Sequence, residues 1–561
     1  MNLEKLPQYR LIKQENLNDI HAMGYLLEHR KTHARVLALE NDDENKVFNI
    51  AFRTPPTDST GVAHIVEHTV LCGSREFPSK DPFVELVKGS LNTFLNAMTY
   101  PDKTMYPLAS CNDTDFHNLM HVYLDAVFYP NIYRHEEIFR QEGWNYQLES
   151  EAGELAYNGV VYNEMKGAFS SPEEVIDREI MNTLFPDTPY GVESGGDPDC
   201  IPDLTYEAYL DFHRYYHPSN SYLYLYGNMD MERELAWIDE KYLSCFEELR
   251  VESEIPLQKP FEKMQELYRE YPVSEEESLE NNTYLTYNVV VGTSLDVELA
   301  NAFAVLDYAL LSSPGAVLKQ ALLDAGIGTD IMSNYESGIR QPFYSIIAKN
   351  ANAKDKDRFV KVIRTVLEEA AEKGIDKGAL LAGINVMEFK AREADYGSYP
   401  KGLVYGLDVF DSWLYDDSRP FDYLRFDVYE KLREDLDKGY FESLIRTYLL
   451  ENTHGSILVA EPRRGLTAKH EEEVCRKLAA FKASLSEDER RKLVEKTKKL
   501  REFQEAPSTQ EELEKIPMLT RADIGMKAAG FQNTEYTCND VKIVHHDVFS
   551  NGIAYLDLLF E

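Results

Sequence analysis

Three runs of apolar or alternating residues, 24–29, 34–40 and 46–53, lie between charged turns such as Asn41-Asp42-Asp43 and predict strands. The pattern then changes period. Val62, Ala63, Ile65, Val66, Val70 and Leu71 stand around His64, Glu67 and His68, which predicts a helix that is apolar nearly all round and therefore buried, closed by Gly73. Phe116, Leu119, Met120, Tyr123 and Val127 recur at helical spacing and predict a second helix over 114–128, ended by Pro130. Strands followed by helices of this kind predict α+β organisation, a sheet covered by helices on one side.

Near residue 250 the pattern loosens into LRVESEIPLQKPFEKMQE, a charged stretch with two prolines that reads as a linker. A second α+β segment runs from there to about residue 465, with a strand-like stretch at 283–292 and helices at 298–311 and 316–325. Its element order suggests a diverged copy of the first segment, without the histidines. Residues 467–505 are dense in Glu, Lys and Arg and predict a helical hairpin whose second helix starts at a capping box, Ser486 with Glu489. A linker between halves and a surface decoration both fit that hairpin. Strand signals return at 541–546 and in IAYLDLLF, with Asn551-Gly552 as a turn. The expected organisation is two homologous α+β sandwich domains at 1–255 and 256–465, a helical hairpin at 466–525, and the start of a third domain at 526–561.

Composition narrows the function classes. A chain of 561 residues with 43% hydrophobic content can bury several cores. A formal net charge of −38 argues against nucleic acid or an anionic membrane as partner, and suits basic peptides or simply solubility. Six scattered cysteines, with no CxxC pair, predict free thiols in a reducing compartment. The opening MNLEKLPQYRLIKQENLNDI has no signal or transit pattern, so a cytoplasmic location is expected.

The chemistry concentrates in His64-Ile65-Val66-Glu67-His68. On a helix at about 100° per residue the two histidines lie one turn apart and Glu67 falls about 60° from His64, all within an arc of roughly 100°. Two imidazoles and a carboxylate in an apolar setting need partners, and a zinc ion held by both histidines supplies one. HxxEH is the zinc-protease motif HExxH with chain direction reversed, which assigns Glu67 as general base. A third ligand is required. Glu164 shares a predicted helical face with Val160, Val161 and Ala168 and is a candidate, although a buried carboxylate satisfied by helix N-termini or hydroxyls would give the same pattern. His117 and His121 have the same i, i+4 spacing but Met120 in place of the glutamate, and read as ordinary helix-surface histidines. His545 and His546, adjacent on a strand, point to opposite faces.

HIVEHTVLCGS together with the distant GVVYNEMKGAF resembles the presequence-protease and falcilysin branch of the insulinase (pitrilysin) family. The resemblance implies zinc bound by His64, His68 and Glu164, Glu67 as base, and a substrate-docking edge strand within 90–99, with Asn96 and Ala97 as contacts. It further implies a clamshell of two halves around a peptide, the second half contributing an arginine and a tyrosine. On that basis the chain is expected to be the first half only, acting on unfolded oligopeptides and dependent on the missing half. Where some relatives place a supporting carboxylate seven residues before the distal ligand, this chain has Tyr157. Two rival readings are a non-catalytic peptide-binding or scaffold homologue and a half-size subunit working with a separate partner.

Overall fold

In the computed structural model, which describes residues 1–525, 530 and 532–560, the chain builds two large sheets. The first contains β1 (Tyr9–Leu17), β2 (Ala22–His29), β3 (Arg35–Glu40), β4 (Lys46–Arg53), β5 (Asn92–Leu95), β6 (Met98–Thr99) and β7 (Lys103–Ser110). A small hairpin of β8 (Asn145–Gln147) and β9 (Ala156–Asn158) precedes the last strand of that sheet, β10 (Ser221–Gly227). The second sheet contains β11 (Gln265–Val273), β12 (Thr283–Val290), β13 (Asp330–Glu336), β14 (Phe343–Ala351) and β15 (Gly455–Arg464). The fold is α+β, as the patterning predicts.

The two sheets share a wiring. The order β3-β10-β4-β7-β5 in the first matches β11-β15-β12-β14-β13 in the second. In both, the first pair is parallel and the rest are antiparallel. The helix Val62–Val70 between β4 and β5 corresponds to Val297–Asp307 between β12 and β13. The latter reads VELANAFAVLD and has no histidine. The repeat inferred from element order is therefore present in the topology.

The first sheet is covered on both faces, not one. Phe48, Ile50 and Phe52 of β4 pack with Ile65 and Val66 in one core, while Val47 and Ala51 join Tyr222, Tyr224 and Tyr226 in a core shared with the second unit. Helix Lys401–Trp413 makes this approach possible through Gly402 and Gly406. A Cβ on Gly402 would stand 2.2 Å from the ring of Tyr226, and one on Gly406 2.8 Å from that of Tyr224. This explains why KVFNIAFR is a nearly continuous apolar run: a strand buried on both faces has no polar side to alternate with.

The stretch Val297–Asp324 is two helices, as expected over 298–311 and 316–325, broken around Ser313-Pro314-Gly315, with Leu299, Phe303, Leu306 and Leu310 in the core. The hairpin helices are Leu466–Ser484 and Glu487–Glu505, and the capping box at Ser486 and Glu489 is formed. Phe481 stacks on Tyr146 of β8, and the Thr497 hydroxyl accepts from the Leu148 amide at 3.0 Å. Strands β16 (Asn533–Cys538) and β17 (Val541–His546) form a separate ribbon. Residues 553–560, expected as a strand, have no partner strand among the described residues and take no regular structure. Residues 526–529, 531 and 561 of that last segment lie outside the described residues. All six cysteines are free.

Candidate functional site

The motif helix begins at Gly61, whose φ of 68° lies in the left-handed region that favours glycine. Its lack of a side chain also admits a neighbour: a Cβ there would stand 2.7 Å from the Gly195 carbonyl oxygen and from Gly196 Cα. The loop around Gly195 thereby crosses the first turn of the helix. The helix ends at Val70 with Leu71 as its cap, two residues before the Gly73 that the sequence suggests; Gly73 adopts a φ of 94° in the turn beyond.

His64 and His68 project from this helix with ring centroids 4.8 Å apart. Each has its Nδ1 engaged. That of His64 lies 3.0 Å from the Gly195 carbonyl, to which it donates, and that of His68 lies 3.3 Å from Oε2 of Glu142. Hydrogen bonds at Nδ1 fix the rings and leave Nε2 as the free donor atom on both. Glu164, on helix Val160–Ala168, brings Oε1 to 3.9 Å from His64 Nε2 and Oε2 to 3.8 Å from His68 Nε2. One ligand atom from each of the three lies within 4.8 Å of the others. A donor set of two imidazoles and one carboxylate suits zinc with a further coordination position left over.

Glu164 does not point inward as its apolar neighbours suggest. Its side chain is 54% exposed, and Val160 beside it is exposed as well. The carboxylate approaches the histidines from the open side of a cleft of about 490 Å³, which a helical wheel cannot foresee. Glu67 is instead buried. Its charge bears on the buried phenols of Tyr106, Tyr123 and Tyr216, whose hydroxyls burial already holds above their ordinary pKa. For His68, burial works toward the neutral ring. The Glu142 hydrogen bond and the carboxylates of Glu67, Glu142 and Glu164 outweigh it and raise the pKa, so the pocket's field favours a positive charge.

Asn96 and Ala97 line the same cleft, with Met98, Thr99, Glu193, Ser194 and Gly195. The Asn96 amide donates to the Pro107 carbonyl, and its own carbonyl accepts from Tyr123 at 3.0 Å, so its main chain is already committed. Its exposed side chain remains available.

His117 and His121 lie elsewhere. His117 pairs with Glu234 at 2.8 Å and His121 with Glu76 at 3.1 Å, and both pack on Trp237. They are half-buried and paired rather than free surface histidines, because Glu76, Glu234 and Trp237 come from segments far away in sequence. His546 Nδ1 meets Asn533 Oδ1 on the outer ribbon.

Three contributors escape the sequence reading: Glu142, Gly195 and Tyr123. Glu142 supplies the outer support that Tyr157 does not, and its only local signal is a carboxylate at the end of helix Glu136–Glu142 before Gly143-Trp144. Glu142→Gln should keep the fold and weaken metal affinity by about 10–100-fold, measured by competition with a chelating dye.

Comparison with known proteins assigns the chain to a family. Residues 52–189 match the model described as insulinase (peptidase family M16), 203–387 match the peptidase M16 inactive domain, and 461–561 match the region associated with subfamily C of the same peptidase family. The chain belongs to the insulinase family, peptidase family M16. Within it the chain is presequence-protease-like: it is 38% identical over 563 residues to presequence protease 1, chloroplastic/mitochondrial, of Arabidopsis thaliana, covering 99% of this chain and 52% of the relative. It is 49% identical to protein HypA of Clostridium perfringens, covering 99% of this chain and 57% of that protein. The chain thus spans about half the length of these relatives. Among solved structures, a Helicobacter pylori protease matches with a TM-score of 0.60 at 15% identity, covering 78% of this chain and 99% of that one. Pitrilysin matches with a TM-score of 0.55 at 18% identity, covering 81% and 47%. These two likenesses are of fold.

Proposed function

We propose that this chain carries the catalytic part of a zinc-dependent endopeptidase that degrades unfolded oligopeptides inside an enclosed chamber. The observation behind the proposal is the convergence of His64, His68 and Glu164 within 4.8 Å beside the buried Glu67. Zinc held there supplies Lewis acidity, which polarises a peptide carbonyl and makes water a better acid. His64 and His68 are presented through Nε2 by their Nδ1 partners, and Glu164 closes the ligand set from the open side. Glu67 accepts a proton from the attacking water and returns it to the departing amide nitrogen.

The peptide lies along the edge strand within 90–99 by strand addition, in which backbone hydrogen bonds give affinity without reading side chains, with the Asn96 side chain and Ala97 as further contacts. Selection is then by length and disorder more than by sequence, with the net charge of −38 favouring basic peptides. The chamber is completed by a segment corresponding to the additional length of the relatives, which brings the arginine and tyrosine that the family resemblance implies.

The test is metal analysis with a fluorogenic-peptide assay, run on the chain alone and with the C-terminal half of a full-length relative added in trans. About one zinc per chain, with cleavage that rises on adding that half, is the expected result. A chain that takes up no zinc from excess metal at neutral pH would overturn the proposal.

A further inference from the structure

The walls of the cleft come from separate segments, Asn96–Thr99 on one side and the Glu193–Gly195 loop on the other. Both run back to one carboxylate. Asp102 lies three residues after Thr99, is 0% exposed, and has an Oδ2 that accepts hydrogen bonds from the Tyr190 and Tyr415 hydroxyls, each at 2.6 Å. Tyr190 is also fully buried and precedes by five residues the Gly195 whose carbonyl meets His64. Tyr415 follows helix Lys401–Trp413 of the second unit.

Two more bonds from the second unit converge here. Lys103, buried and 3.5 Å from Asp102 Oδ1, donates to the Gly338 carbonyl at 2.9 Å. The Arg340 amide donates to the Tyr190 hydroxyl at 2.9 Å. Gly338 and Arg340 belong to the turn between β13 and β14. At the near end, the Asp102 carbonyl accepts from the Thr54 amide just past β4. A buried carboxylate is costly, and a polar network of this kind fixes one arrangement of the segments that meet in it.

We infer that Asp102 is a positioning residue, setting the separation between the peptide-docking wall and the loop that orients His64, and making the second unit part of the cleft's geometry. Tyr190 transmits the position to the Gly195 loop, and Tyr415 anchors the carboxylate to the second unit. The catalytic meaning of this rests on the zinc-peptidase proposal. The mechanical statement does not.

Hydrogen exchange separates the two. Tyr190→Phe and Tyr415→Phe each remove one hydroxyl from Asp102 with little change of shape. Tyr9→Phe is the comparator: its buried hydroxyl donates to the Leu235 carbonyl at 2.9 Å on β1, the opposite edge of the sheet. The expected result is exchange about tenfold faster at amides 96–99 and 193–196 in the first two variants and unchanged there in the third. Zinc and peptide dissociation constants, the latter measured on a Glu67→Gln background, should rise in Tyr190→Phe and Tyr415→Phe but not in Tyr9→Phe. Exchange at both segments no faster than in Tyr9→Phe would overturn the role of Asp102. A wild-type chain that binds neither zinc nor peptide would count against the zinc-peptidase proposal alone, since the exchange comparison still decides on Asp102.

Discussion

Glu67→Gln should leave the zinc content of the protein unchanged and lower peptide hydrolysis by about 10²–10⁴-fold, the usual worth of a general base. The expectation comes from where the side chain sits. Glu67 is buried, three residues after His64 and next to His68, but is not among the residues whose ligand atoms converge, so replacing its carboxylate with an amide removes a proton acceptor and not a ligand. Metal analysis and turnover measured on one preparation check both halves of the prediction. Loss of zinc together with activity would make Glu67 a ligand, and activity without the carboxylate would remove it from the reaction.

Glu164→Ala should have the opposite signature, with metal lost first and activity following. Removing one of three ligands is expected to weaken zinc binding by more than the ~10–100-fold attached to an outer partner such as Glu142. Its exposure makes the test clean. The side chain is 54% solvent-accessible, so shortening it leaves no buried void and the melting temperature without metal should hardly move. Titration of the metal-free protein with zinc, compared with wild type and Glu142→Gln, would rank the three; equal affinities for wild type and Glu164→Ala would exclude it as a ligand.

Much of the site was legible because it is local. His64, Glu67 and His68 share one helix, and their spacing alone fixes which way they face. The motif helix, the capping box at Ser486 and the class of fold follow from periodicity for the same reason. Glu164 is a candidate from its helical face and is tied to the motif by the resemblance, but that face misleads about its surroundings, because Val160 and Ala168 say nothing about what lies across a cleft. Glu142, Gly195 and Tyr123 act through single contacts with segments remote in sequence, which leave no periodic trace. The stretch 553–560 has strand composition, but a strand also needs a neighbour, and composition cannot supply one.

The seam where Gly402 and Gly406 lie against the tyrosines of β10 restricts how the two units can move against each other. Rings seated on bare backbone leave no room for sliding, and parting them would wet a tyrosine-lined buried face. The two units therefore travel as one jaw. If the chain works as the proposed peptidase, an opening for a peptide would form along a different margin, and His64, His68, Glu164 and their supports would keep their arrangement.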